Sequence, residues 1–94
     1  MISTHVLDTG RGVPASGVRV QLFRGDELVG DGETDADGRI RELADPEPGA
    51  YRIVFHPDSP FFTRVEAEVQ IEAGRHHHVP LLISPYACTI YRGS

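Results

Sequence analysis

Val65-Glu66-Ala67-Glu68-Val69-Gln70-Ile71 puts an apolar residue at every second position, with a carboxylate or an amide between. Side chains alternate across an extended chain, so this run forms a strand with one dry face and one wet face. A helix, with its period of 3.6, cannot segregate residues in this way. The same period recurs on both sides of the run. Val18, Val20 and Leu22 alternate with Arg19 and Gln21, and Tyr51, Ile53 and Phe55 alternate with Arg52, Val54 and His56. Further strands are predicted over residues 3–8, 28–33, 39–43, 75–84 and 88–92. Asp35-Ala36-Asp37-Gly38 has the Asp-Gly pair that a hairpin needs for positive φ. Pro46-Glu47-Pro48-Gly49 and His56-Pro57-Asp58-Ser59-Pro60 interrupt the ladder, because proline lacks the amide donor. Strands spaced this closely predict an all-β sandwich of two sheets and about eight strands, with residues 1–94 forming one domain.

A chain of 94 residues has little core to stabilise it. Its single cysteine, Cys88, cannot form an internal disulfide, and no Cys-x-x-Cys spacing offers a zinc site. Self-association is the remaining way to bury more surface. The formal net charge is −5, with nine arginines and no lysine. That balance disfavours a nucleic-acid surface, which needs a basic face. No apolar run approaches the roughly 18 residues that span a bilayer. Met1-Ile2-Ser3-Thr4-His5 has neither the basic nor the apolar part of a signal peptide, so a cytoplasmic protein is expected.

Five histidines stand out, three of them consecutive at His76, His77 and His78. In a strand only His76 and His78 share a face. Two imidazoles with no neighbouring carboxylate or thiolate make a poor zinc site, so no metal is expected. His5 shares a strand face with Ser3 and Leu7, and Arg39 follows the Asp-Gly turn. Read alone, His5, Arg39, His56 and His77 are each ordinary solvated side chains.

Four runs read together carry more. They are Thr4-His5-Val6-Leu7-Asp8-Thr9 with Arg11-Gly12 and Pro14-Ala15; Thr34-Asp35-Ala36-Asp37-Gly38-Arg39; His78-Val79-Pro80-Leu81-Leu82-Ile83-Ser84-Pro85-Tyr86; and Tyr91-Arg92-Gly93-Ser94. In order and spacing they resemble the 5-hydroxyisourate hydrolases, the enzymatic relatives of the hormone carrier transthyretin. The resemblance runs from Ile2 to Ser94, and the closing tetrapeptide is its most specific part. Transthyretin is similar through the Val-Leu-Asp and Leu-Leu-Ser-Pro-Tyr runs. However, it has lysine, glutamate and threonine where this chain has His5, Arg39 and His78, and it lacks the terminal motif. Two departures stand out: the segment between Phe55 and Ser59 is short, and Cys88-Thr89-Ile90 replaces a run that is often Tyr-Ser-Thr.

The resemblance implies a transthyretin-like sandwich in which the short helix after the fifth strand is reduced or absent. It also implies opening of the lactam ring of 5-hydroxyisourate in urate catabolism, without a cofactor, by a homotetramer. The small-molecule substrate would meet His5, Arg39, His78 and the terminal motif in one pocket. His5 and His78 would activate water and deliver protons, in an order the residues leave open. Arg39 would orient the substrate and offset developing negative charge, its planar fork matching a urea-like edge. Tyr91 and Ser94 would hydrogen-bond the ring while Arg92 and Gly93 shape that wall, and His76 would support His78. Ser94 is alternatively a nucleophile. A non-catalytic carrier of a planar ligand, or a secreted structural sandwich, are the readings from other classes. The secreted kind usually has a leader and paired cysteines.

Overall fold

A computed structural model describes all residues from Met1 to Ser94. It contains strands and turns but no helix: β1 Ile2–Asp8, β2 Val13–Pro14, β3 Arg19–Arg24, β4 Glu27–Glu33, β5 Arg39–Ala44, β6 Gly49–His56, β7 Val65–Ile71, β8 His77–His78, β9 Leu81–Ser84 and β10 Ala87–Ile90. No helix is therefore long and apolar enough to cross a membrane. The segment between β6 and β7 runs without helical structure, as its shortness predicts.

The strands form two sheets. One is antiparallel throughout, in the order β4-β3-β6-β7. The other is built around β1. On one flank β1 pairs in parallel with β8 and then β9, and β10 extends the sheet beyond β9. On the other flank it pairs antiparallel with β5 and β2. The expected strand over 75–84 is thus two short segments along the same neighbour, broken at Val79-Pro80 where proline offers no donor.

Alternation decides which residues fill the space between the sheets. Ile2, Val6, Val20, Leu22, Ile53, Phe55 and Leu81 are fully buried and belong to one cluster of 14 residues. Each such aliphatic or aromatic side chain contributes about 1.5–3 kcal/mol by leaving water. Thr4 also points inward, and its hydroxyl donates to the Val79 carbonyl at 2.6 Å, tying β1 to the β8–β9 break. Tyr51 is buried with its hydroxyl donating to the Glu47 carbonyl at 2.6 Å, which pins the proline-rich loop.

The Asp35–Gly38 turn is a corner and not a hairpin. β4 lies in one sheet and β5 in the other, so the turn carries the chain across the sandwich. The tight hairpin is instead Gly25-Asp26, between Arg24 and Glu27, with glycine at φ 59° in its first position.

Candidate active site

The corner before β5 is built from its own side chains. The Thr34 hydroxyl accepts the Val18 amide at 2.9 Å and donates to the Ala15 carbonyl at 2.7 Å, which closes the exit from β4. Asp35 Oδ1 then accepts the amides of Asp37 and Arg39, both at 2.9 Å. Those bonds, the Arg39 amide first, hold the Asp35 carboxyl below its ordinary range. Gly38 takes φ 75°, and a Cβ there would stand 2.5 Å from the Val6 carbonyl oxygen. Only glycine fits this approach, in which the Val6 amide donates to the Gly38 carbonyl at 2.7 Å. The corner is thereby fixed to β1, and Arg39 is delivered directly opposite His5.

His5 is held from the same corner. Its Nε2 is 2.9 Å from the Asp37 carbonyl oxygen, which can only accept, so Nε2–H donates. In the neutral ring the free lone pair is then on Nδ1.

Just beyond, β5 takes four residue steps from Ile40 to Ala44 while β1 takes two, from Thr4 to Ile2. This bulge lies opposite Ser3. Beside it is a depression of about 300 Å³ lined by Ser3, Thr4, Arg39, Arg41, His76, His78 and Ser94, with Ile40 its one apolar residue. It contains no Asp or Glu side chain, although the chain carries a net charge of −5. Neither Arg39 nor Arg41 has an ion-pair partner.

His78 is half-buried on the depression. Its pKa is lowered, first by burial and then by the charges of Arg39, His5 and His76. Its position depends on the chain's last residues. The Gly93 amide donates to the His78 carbonyl at 2.7 Å, and a Cβ on Gly93 would lie 2.5 Å from Cδ2 of the imidazole. Gly93 therefore leaves the space that the ring occupies. Ser94 follows it on the depression and makes no hydrogen bond to any histidine.

The expected site residues divide into two groups. His78, Arg39 and Ser94 line the depression, with His5 paired beside Arg39 and Gly93 against His78. Tyr91 and Arg92 do not join them. They border a separate, mostly apolar cleft of about 330 Å³ with Val69, Ile71, Val79, Ile90 and His77. After Ile90 the chain leaves the ladder, and the Tyr91 amide is held by the Pro80 carbonyl at 3.4 Å. Tyr91 and Arg92 then follow His77, on the opposite side of β8 from His78.

His77 is not solvated but 5% exposed, because it takes the inward position between two outward neighbours. Its Nε2 accepts the Glu72 amide at 3.2 Å, and Nδ1 has no partner. His56 is half-buried, with Nε2 2.7 Å from Oε1 of Gln21. Ser3 and Arg41 were not singled out from sequence as site residues. Both follow from alternation, since they lie two positions from His5 and Arg39 on the same strands. No three His, Cys, Asp or Glu side chains converge as a metal would require.

Two packed β-sheets, with imidazoles, guanidiniums and a serine gathered outside the core, define a transthyretin-like sandwich carrying a polar depression. The chain belongs to the HIUase/Transthyretin family, whose model matches residues 2–93. It is 40% identical to 5-hydroxyisourate hydrolase 2 of Rhizobium meliloti, covering 99% of this chain and 95% of the relative. That alignment spans 114 positions, more than this chain has residues, so the relative contains segments absent here. The fold superposes on 5-hydroxyisourate hydrolase of Klebsiella pneumoniae with a TM-score of 0.86 at 36% identity, over 99% of this chain and 98% of the other. It also superposes on sea bream transthyretin in complex with thyroxine, with a TM-score of 0.84 at 26% identity, over 98% and 93% of the two chains.

Proposed function

We propose that this chain hydrolyses the lactam ring of 5-hydroxyisourate to 2-oxo-4-hydroxy-4-carboxy-5-ureidoimidazoline. The observation that carries the reading is the gathering of His78, Arg39 and Ser94 on a depression without side-chain carboxylates, with His5 beside it. Full-length relatives named as hydrolases of that substrate support it.

Ring opening requires a water oxygen to add to a ring carbonyl, a base for the water's proton, and a proton for the departing ring nitrogen. His78 is the base: burial and the neighbouring Arg39 cation keep its imidazole neutral and able to accept. The new C–O bond places negative charge on the carbonyl oxygen. Arg39 and Arg41, which have no carboxylate partner, offset that charge. The C–N bond then breaks, and the nitrogen takes up a proton from the imidazolium. His5, whose Nε2–H is engaged by Asp37, presents Nδ1 to a substrate N–H and orients the ring. Ser94 hydrogen-bonds the substrate and is not a nucleophile, since it has no histidine to activate it. Tyr91 and Arg92 act from behind, anchoring the segment that places Gly93 and Ser94.

A positioned general base contributes about 10²–10⁴-fold, and each donor to the oxyanion about 10²–10³-fold. Those factors suffice for a labile lactam, with no cofactor. His5→Ala, Arg39→Glu and His78→Thr should each remove most of the acceleration, by about 10²-fold or more, while the protein still folds. Retention of full activity by any of the three would exclude that residue from the mechanism.

The working unit is a homotetramer. β7 and β10 are each paired on one side only, so both leave an edge free, and the apolar cleft lies between them. An open edge beside exposed apolar surface favours pairing with another copy of the chain. The one free cysteine and the lack of a membrane-spanning helix suit a cytoplasmic setting, and the acidic surface makes nucleic acid or membrane a poor partner.

A further inference from the structure

The hydroxyl of Ser3 lies between two imidazoles. Its Oγ is 2.7 Å from Nε2 of His76 and 2.8 Å from Nδ1 of His78. Ser3 is 7% exposed, and its carbonyl accepts the Val79 amide at 2.9 Å, which fixes the backbone that carries the hydroxyl. A hydroxyl has one proton and can also accept. Between two neutral rings it donates to one and accepts from the other, so their tautomers are linked. When His78 donates from Nδ1, its Nε2 is bare and able to take a proton, and Ser3 donates to His76. In the opposite arrangement Nε2 of His78 already carries a proton and cannot act as a base.

The two rings differ in surroundings. His78 is half-buried and faces Arg39 and Arg41 of β5 and His5 of β1. His76 is exposed and also borders a second hollow with the Met1 ammonium, Asp45, Glu72 and Arg75. The two carboxylates of that hollow are already paired, Asp45 with the Met1 ammonium at 3.0 Å and Glu72 with Arg75 at 2.8 Å, so exposure to solvent is what sets His76 apart. The more exposed ring, His76, is the one placed to exchange protons with solvent.

We propose that Ser3 is a positioning residue that sets His78 in its base-competent tautomer and passes the proton on to His76, which exchanges it with solvent. This rests on the hydrolase reading above. Nε2 of His78 gains the water proton, the Nδ1 proton moves to Ser3 Oγ, and the Ser3 proton moves to Nε2 of His76. His76 then releases its Nδ1 proton to solvent. Run backwards, the same chain recharges His78 for the departing nitrogen, so no net proton is gained or lost.

The test joins nitrogen-15 NMR of the histidine rings to steady-state kinetics of the full chain. In the unmodified protein, His78 should have a protonated Nδ1 and a bare Nε2 near neutral pH, and its titration should be linked to that of His76. Ser3→Ala should uncouple the two rings and lower kcat about 10–100-fold with KM unchanged, the range met when metal-bound histidines lose the partner on the second ring nitrogen. His76→Gln, at an exposed site, keeps an acceptor for Ser3 but cannot carry charge. It should preserve the His78 tautomer, slow turnover, and be rescued by small imidazole buffers. Independent titration in the unmodified protein, unchanged kcat in a folded Ser3→Ala variant, or a slow His76→Gln variant that buffer does not rescue would each overturn the relay. If the unmodified protein failed to accelerate the reaction while the rings titrated together, the hydrolase reading would fall and the Ser3 coupling would stand.

Discussion

His77 and His78 are sequence neighbours with opposite surroundings, and both are held neutral. Burial is the main cause for each, with Arg92 adding to it at His77 and Arg39 at His78. Their folded pKa values therefore lie below the unfolded value of about 6.5. On the acid side of that value the unfolded chain binds more protons than the folded one. Stability is complete above about pH 6.5 and is lost as pH falls through the folded values. The melting temperature should drop as pH falls below about 6.5, with a shallower slope in His77→Phe; a flat profile in the unmodified protein would contradict this assignment. Alternation was enough to show that His76 and His78 share a face, and by the same logic that His77 faces inward. Reading His77 as solvated weighted its polarity over its parity, which the structure reverses.

At the scale of elements, the strands were legible because each has one dry face, as in β7 and β3. What followed each turn was less legible. Asp-Gly chemistry sets a local φ, yet it says nothing of which strand the next one will pair with, so a corner between sheets looked like a hairpin. The bulge in β5 likewise leaves no mark on the alternation, although it opens the depression beside Ser3. By resemblance the C-terminal motif forms one wall, but the structure divides it: Gly93 and Ser94 lie at the depression, and Tyr91 and Arg92 at the cleft. Removing residues 91–94 should leave a folded sandwich by circular dichroism, since none of them belongs to the 14-residue core, and should abolish turnover. Gly93→Ala is the finer probe. Its methyl group displaces the His78 ring, and a shift of about 1 Å should cost about 10²-fold in kcat with little change in melting temperature. Full activity in either protein would show that the terminal segment does not position His78.

For the molecule as a whole, one small core supports a depression whose polar lining belongs to none of the 14 core residues. Chemistry and stability are therefore largely separable: Phe55→Ala should cost about 3–5 kcal/mol of stability without touching the depression. Sedimentation should give four chains per particle, and charges placed on the cleft at Val69 and Ile90 should dissociate it; a monomer at micromolar concentration would contradict the proposed assembly. Fold alone does not separate hydrolase from carrier, because the same sandwich matches both a hydrolase and a thyroxine-bound transthyretin. In the proposed reading His5, Arg39 and His78 carry that distinction. The most direct measurement follows the ultraviolet absorbance of 5-hydroxyisourate, generated in place by urate oxidase near neutral pH, with this protein present far below the substrate concentration. A hydrolase gives rapid decay through many turnovers per chain, and that is the expected result. An unchanged decay rate, with planar aromatic ligands binding the protein stoichiometrically, would contradict it and identify a carrier.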